Sequence, residues 1–214
     1  MTRFAEDAYQ TEMGVGNETS GYRHESLSKA CYGLYDAAYD DPNYSSSYDQ
    51  SEQSSVFLFT EFMRFLAPPA RVNEFPGATA ESVRNGRLLF ERTGCGLCHT
   101  SSLRTGNESN LPALNGRDVP LYSDLLLHHM GPKLADGIVQ GRAGPDEFRT
   151  APLWGLGQRV FLLHDGRTTD LLMAIQEHAS DGEGFRSEAN DVVGRFNRLS
   201  PAEQQEIVNF LRSL

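Results

Sequence analysis

The chain's most informative stretch is Gly94-Cys95-Gly96-Leu97-Cys98-His99, where two thiols three positions apart are followed at once by an imidazole. This Cys-x-x-Cys-His spacing is the signature for covalent attachment of a c-type haem. The thiols can reach two carbons on one edge of a porphyrin, and the histidine can place a ring nitrogen on the iron. The sequence therefore predicts one covalent haem c, attached through Cys95 and Cys98, with His99 as the proximal ligand of the iron.

Two other kinds of site could use the same cysteine pair. A zinc site would need a second pair of ligands at similar spacing, and the chain offers only scattered histidines. A thioredoxin-type redox pair would need a βαβ setting, whereas a helical pattern precedes this motif. We favour haem, and a zinc-binding or other non-haem metal-binding module stays open as an alternative.

A histidine-ligated haem iron has a sixth position, for which the chain offers several sulfur and imidazole side chains. Met130 is the preferred distal ligand, because it lies at a Gly-Pro helix break where a side chain can turn inward. A thioether in this position raises the reduction potential. Core packing explains Met173 more simply. The other candidates are His128, His129, His164 and His178.

Apolar residues recur mainly at helical spacing, and there is almost no strand signal. We predict an all-α fold, a cytochrome c-like helical domain with long Gly/Pro-rich loops and an irregular N-terminal extension. The last helix has the clearest start, with Ser200 as N-cap and Glu203 placed for a capping box. Gly86 within a helix predicts a close crossing near Phe210. The predicted helices are 56–66, 79–93, 123–130, 169–179, 187–199 and 201–213.

Two regions differ in composition. Residues 1–55 contain ten acidic and three basic residues and seven of the eight tyrosines. We predict that residues 1–75 form an irregular, acidic extension ending in a short buried helix, and that residues 76–214 form the haem domain. Cys31, the one cysteine outside the motif, is interpreted as an unreactive thiol.

The net charge of −10 limits the choice of partners. Nucleic acid and anionic membrane surfaces would repel the chain, whereas a basic redox protein would be attracted. No run approaches the ~18 apolar residues that a membrane span requires. The first residues also lack the basic and apolar regions of a signal peptide.

Three further side chains could serve the haem. Arg149 and Arg167 could pair with the propionates, because buried charges need partners. Trp154, the single tryptophan, could line the haem pocket or an electron route. The simpler alternatives are surface positions for the arginines and packing for the tryptophan.

Four runs together resemble the C-terminal half of the di-haem oxidoreductases, a family related to bacterial di-haem cytochrome c peroxidases. The resemblance covers residues 56–214 and extends weakly into 5–16. Its most specific parts contain Leu-Leu-Leu-His-His-Met-Gly and His-Asp-Gly-Arg. The runs are 94–100, 122–131, 148–157 and 161–167.

This resemblance implies that Cys95 and Cys98 attach the haem, that His99 is proximal and that Met130 is distal. It also implies that this haem takes in electrons while peroxide reacts at a second haem, and that the protein is periplasmic or otherwise exported. The chain has one haem motif, so we expect a fragment or truncated product in which a separate N-terminal haem domain is missing. His129 also replaces an expected acidic residue.

The leading functional prediction is therefore an electron-transfer cytochrome domain that is not a complete peroxidase alone. The alternative within the same family is a peroxidase that reduces hydrogen peroxide at this haem, which requires a vacant or displaceable sixth position on the iron.

Overall fold

A computed structural model describes Phe4, Ala5 and Ala8 together with residues 55–107, 110–181 and 186–214. The chain divides into two compact units, residues 1–67 and 68–214. The predictions about Cys31 and the tyrosine-rich segment lie outside the described residues.

The first unit contains helix α1, Ser55–Phe65. Its buried residues are Ser55, Val56 and Thr60, and the Thr60 hydroxyl donates to the Val56 carbonyl (2.8 Å). Several large apolar side chains are exposed, with Phe62 at 60%. The prediction that this helix is buried all round is therefore wrong.

The described residues of the second unit form four α-helices and three short 3₁₀ turns. Ser200 and Glu203 form the predicted capping box at the start of the last helix, which confirms that start signal. The α-helices are α2 (Ala80–Thr93), α3 (Leu171–Glu177), α4 (Asn190–Phe196) and α5 (Pro201–Arg212). The 3₁₀ turns are Cys95–Leu97, Pro112–Leu114 and Leu156–Gln158.

Helices α2 and α5 cross at Gly86, which confirms the predicted close approach. A β-carbon built on Gly86 would overlap the Glu206 carbonyl and lie 2.9 Å from the β-carbon of Phe210. Only glycine allows the two backbones to come this close. The crossing sets Phe90 against Phe210, with ring centroids 5.3 Å apart, in the centre of the hydrophobic core.

Four short strands in the described part of the chain contradict the predicted all-α class. Strands β1 (Leu103–Arg104) and β2 (Asp118–Val119) form one antiparallel pair. Strands β3 (Leu127–His129) and β4 (Glu147–Arg149) form another. Both pairs bridge the long Gly/Pro-rich loops, whose backbone groups need partners that no helix supplies. Strands of two or three residues are too short to show a period-two pattern, so the sequence did not reveal them.

The predicted helix over 123–130 is also wrong. Tyr122 (φ 52°) and Leu125 (φ 62°) adopt left-handed conformations, which an α-helix does not admit. Ser123 and Asp124 direct the chain instead: their side-chain oxygens accept from the amides of Leu125 (2.9 Å) and Leu126 (3.0 Å). Such local bonds compete with helix formation, and the chain enters β3.

Replacing Ser123 by alanine should lower the free energy of unfolding by about 1–3 kcal/mol. The Ser123 side chain is fully buried, and its hydroxyl donates to the Thr150 carbonyl (2.7 Å), which would lose its donor. Urea unfolding measures the change, with the exposed Ser102→Ala as the matched control. Equal stability of the two variants would show that this hydroxyl does not hold the turn.

No helix in the described part of the chain is long and apolar enough to cross a membrane.

Candidate functional site

The cysteine motif follows directly from the end of α2. Gly94 ends the helix with φ 101°, and its amide donates to the carbonyls of Glu91 and Phe90. A left-handed glycine is common at the C-terminal end of a helix. Here it lets the chain turn directly into Cys95–Leu97. The Arg195 Nε donates to the Thr93 carbonyl (2.6 Å), so α4 fixes the same turn from the other side.

Cys95 and Cys98 are free thiols at the two ends of this turn, and both are partly buried. Burial raises the pKa of Cys95 to about 11. Burial also raises the pKa of Cys98, and the negative charges of Asp124 and Glu188 add to the increase. Both sulfurs therefore stay protonated near neutral pH when no metal ion or haem is bound.

His99 is held in a single ring orientation. Its Nδ1 donates to the Tyr122 carbonyl (3.0 Å), and its amide donates to the Cys95 carbonyl (2.9 Å). Burial lowers the pKa of His99 to about 4, against the opposing effect of the Tyr122 carbonyl. The imidazole is therefore neutral, with its Nε2 lone pair available as a ligand.

His178, at the end of α3, resembles His99 in its bonding. Its Nδ1 donates to the Ala174 carbonyl (2.7 Å), and burial lowers its pKa as well. A positive charge on His178 would also lower the pKa of His99, as a smaller effect than burial. Sequence reasoning placed His178 among the candidates but gave it no preference. The sequence did contain one indication that His178 faces the core. It follows Leu171 and Ala174 at helical spacing, and both of those residues are buried.

The two methionine candidates differ in exposure. Met130 is partly buried, and its amide donates to the Asp146 carbonyl (2.8 Å). The next residue, Gly131, packs against Ser180, two positions after His178. Met173 is 52% exposed, so the core-packing interpretation of that residue is wrong.

His128 connects the motif to two carboxylates. Its Nε2 lies 2.9 Å from Asp124 and its Nδ1 lies 2.7 Å from Glu188, while the Cys98 sulfur is 3.8 Å away. Burial opposes protonation of His128, but these hydrogen bonds outweigh it and raise its pKa. His129 pairs with Asp146 at 3.0 Å. Both histidines are thus engaged by carboxylates rather than free to bind iron.

The remaining candidates make ordinary contacts. Arg167 pairs with Asp165 (2.6 Å) and Glu177 (3.2 Å), and Arg149 is an exposed residue of β4. The Trp154 Nε1 donates to a backbone carbonyl at position 120. His164 stacks on the Phe148 ring, with centroids 4.5 Å apart.

These residues fit a haem: two protonated thiols and a neutral imidazole, oriented through one nitrogen, lie within five positions of the chain. A family model described as "di-haem oxidoreductase, putative peroxidase" matches residues 8–214. The chain belongs to this family, as the sequence resemblance predicts. No curated protein and no solved structure matches it.

Membership of this family implies a haem-dependent oxidoreductase or peroxidase. It also implies a haem cofactor and a redox partner or a second haem domain.

Proposed function

We propose that the chain is a c-type cytochrome domain that carries one covalent haem and transfers electrons within a di-haem oxidoreductase. Cys95 and Cys98 would form the thioether bonds, and His99 would bind the iron through Nε2. When bound, the haem supplies a one-electron iron couple. The observation that carries the proposal is the bond from His99 Nδ1 to the Tyr122 carbonyl, which leaves Nε2 as the ligand atom.

The chain's own residues hold that ligand rigidly. Tyr122 is fully buried, and its ring packs edge-on against Phe90 and Phe210. The Phe90 centroid lies 6.3 Å from that of His99. A histidine fixed in this way changes little in geometry between two charge states of a bound metal, and small reorganisation favours electron transfer.

The sixth ligand has two candidates in this proposal. Met130 is the residue that the sequence and the family resemblance favour. His178 is the second candidate, because it is partly buried and its Nδ1 donates to the Ala174 carbonyl, which leaves Nε2 as a ligand atom. The two lie on neighbouring segments, since Gly131 packs on Ser180.

Single replacements distinguish the two ligands. If Met130 binds the iron, the oxidised protein shows a sulfur-to-iron charge-transfer band near the red end of the visible spectrum, and Met130→Ala removes it. If His178 binds, that band is absent, and His178→Ala converts a low-spin iron to high spin while Met130→Ala does not. Met173→Ala is the matched control, because that side chain is exposed. A low-spin spectrum in all three variants would exclude both assignments.

Peroxidase activity at this haem is the second candidate, and the family description favours it. It requires a vacant or displaceable sixth position. Adding hydrogen peroxide to the reduced protein and following a reducing dye tests it. Turnover no faster than that of free haem would exclude peroxidase activity at this haem.

A non-haem metal module is the third candidate. Cys98, Asp124 and His128 place potential ligand atoms within 4.8 Å of one another. Both nitrogens of His128 are bonded to carboxylates, however, so a zinc ion would first have to displace one of them. Metal analysis that found zinc without porphyrin would favour this module over the cytochrome.

We further propose that the mature protein works outside the cytoplasm, where thioether attachment of haem takes place. The acidic chain would receive electrons from a basic redox protein or from a separate haem domain. Cell fractionation with a haem-staining gel tests the location.

A further inference from the structure

A cavity of about 410 Å³ lies in the second unit, within residues 68–214. Its walls combine apolar and polar side chains and come from the segment before α2, the 3₁₀ turn at Leu156–Gln158, the start of α3 and the end of α5. Pockets of this size are common for small organic ligands. The apolar walls include Val72, Phe75, Leu156, Leu162 and Leu171.

Two arginines, Arg159 and Arg212, line the same cavity. Neither guanidinium group has a carboxylate within 4.0 Å in the described part of the chain, although acidic residues outnumber basic ones by ten overall. The acids nearest to them along the sequence are engaged elsewhere: Asp165 pairs with Arg167, and the Glu206 carboxylate accepts from the Asn85 side chain. Both guanidinium groups are therefore available to an anionic ligand.

This cavity is separate from the cysteine motif. Phe75 precedes α2, and the fourteen residues of that helix span about 21 Å before the chain reaches Cys95. Leu171 begins α3, whereas His178 lies past its other end, two turns away. Neither cysteine nor His99 lines the cavity.

We propose that this cavity binds an organic carboxylate with an apolar body, such as a medium-length fatty acid or an aromatic acid. The carboxylate pairs with Arg159 and Arg212, whose planar donors match its two oxygens. The apolar body lies along the walls that Phe75, Leu156 and Leu171 provide. A phosphate or other small inorganic anion would leave these apolar walls exposed to water and is the less suitable ligand.

Calorimetric titration of the full haem-loaded chain with octanoate tests the proposal. We expect one saturable site and at least tenfold weaker binding in the double variant Arg159→Gln/Arg212→Gln. Octan-1-ol, which has the same apolar body without the charge, should bind equally to both proteins. Butanoate should bind at least tenfold more weakly than octanoate, because each methylene removed from water contributes about 0.8 kcal/mol.

Arg198→Gln is the matched control, since it removes the same charge from an exposed arginine outside the cavity. It should bind octanoate within twofold of the unmodified chain. The haem absorption spectrum should not change during the titration, which separates this site from binding at the iron. Absence of saturable heat, or equal affinity in the double variant and the control, would overturn the proposal whatever the outcome for haem.

Discussion

Replacing Gly86 by alanine is expected to lower the free energy of unfolding of the second unit by about 2–3 kcal/mol. The new methyl group would overlap the Glu206 carbonyl and press on Phe210, so α2 and α5 would have to separate. Alanine favours the helix by about 1 kcal/mol relative to glycine. The expected loss of stability is the cost of the overlap after this gain is subtracted. The thermal midpoint should fall by roughly 5–10 °C.

Gly106→Ala is the control for this change, because a β-carbon at Gly106 meets no atom within 4 Å. Its thermal midpoint, measured by circular dichroism on the haem-loaded chain, should stay within about 2 °C of the unmodified protein. If the two variants unfolded at the same temperature, the close helix crossing at Gly86 would not contribute to stability.

The second large effect is expected for the double variant Cys95→Ser/Cys98→Ser, which should lose all covalent haem. Serine keeps the size and the turn but cannot form a thioether, so any haem held by His99 alone should leave in acidic acetone. Haem staining of a denaturing gel measures covalent haem directly. Each single variant should retain haem through one bond.

Cys31→Ser is the control, because Cys31 is the one cysteine outside the motif. It should stain like the unmodified chain. Staining that survived in the double variant, or that was lost in Cys31→Ser, would show that the attachment residues are assigned wrongly.

Much of the helical frame could be predicted from the sequence, because its signals are local. The capping box depends on Ser200 and Glu203, which are three positions apart. The close helix crossing depends on one missing side chain, at Gly86. The start of α2 was predicted within one residue for the same reason, since Thr79 caps it by accepting from the Ser82 amide.

The turn after Tyr122 could not be predicted in the same way. Three consecutive leucines look helical, but the buried Ser123 hydroxyl and the Asp124 carboxylate accept hydrogen bonds from the local amides of Leu125 and Leu126. The pairing of β3 with β4 joins residues about 20 positions apart, and loops of that length carry no periodic signal.

The ligand set shows the same division between local and long-range information. Cys95, Cys98 and His99 are adjacent in sequence, so their pattern alone indicates the chemistry. The relation of His99 to His178 depends on how α3 packs across the core, which the spacing of single residues does not encode. The sequence alone therefore favours Met130 as the sixth ligand and gives no means of weighing His178 against it.

The most direct test is the pyridine haemochrome spectrum of the full chain, produced with periplasmic haem-attachment machinery and first extracted with acidic acetone. We predict an absorption maximum at the c-type position with one haem per chain. Haem that is removed by the extraction, or no haem at all, would contradict covalent attachment through Cys95 and Cys98.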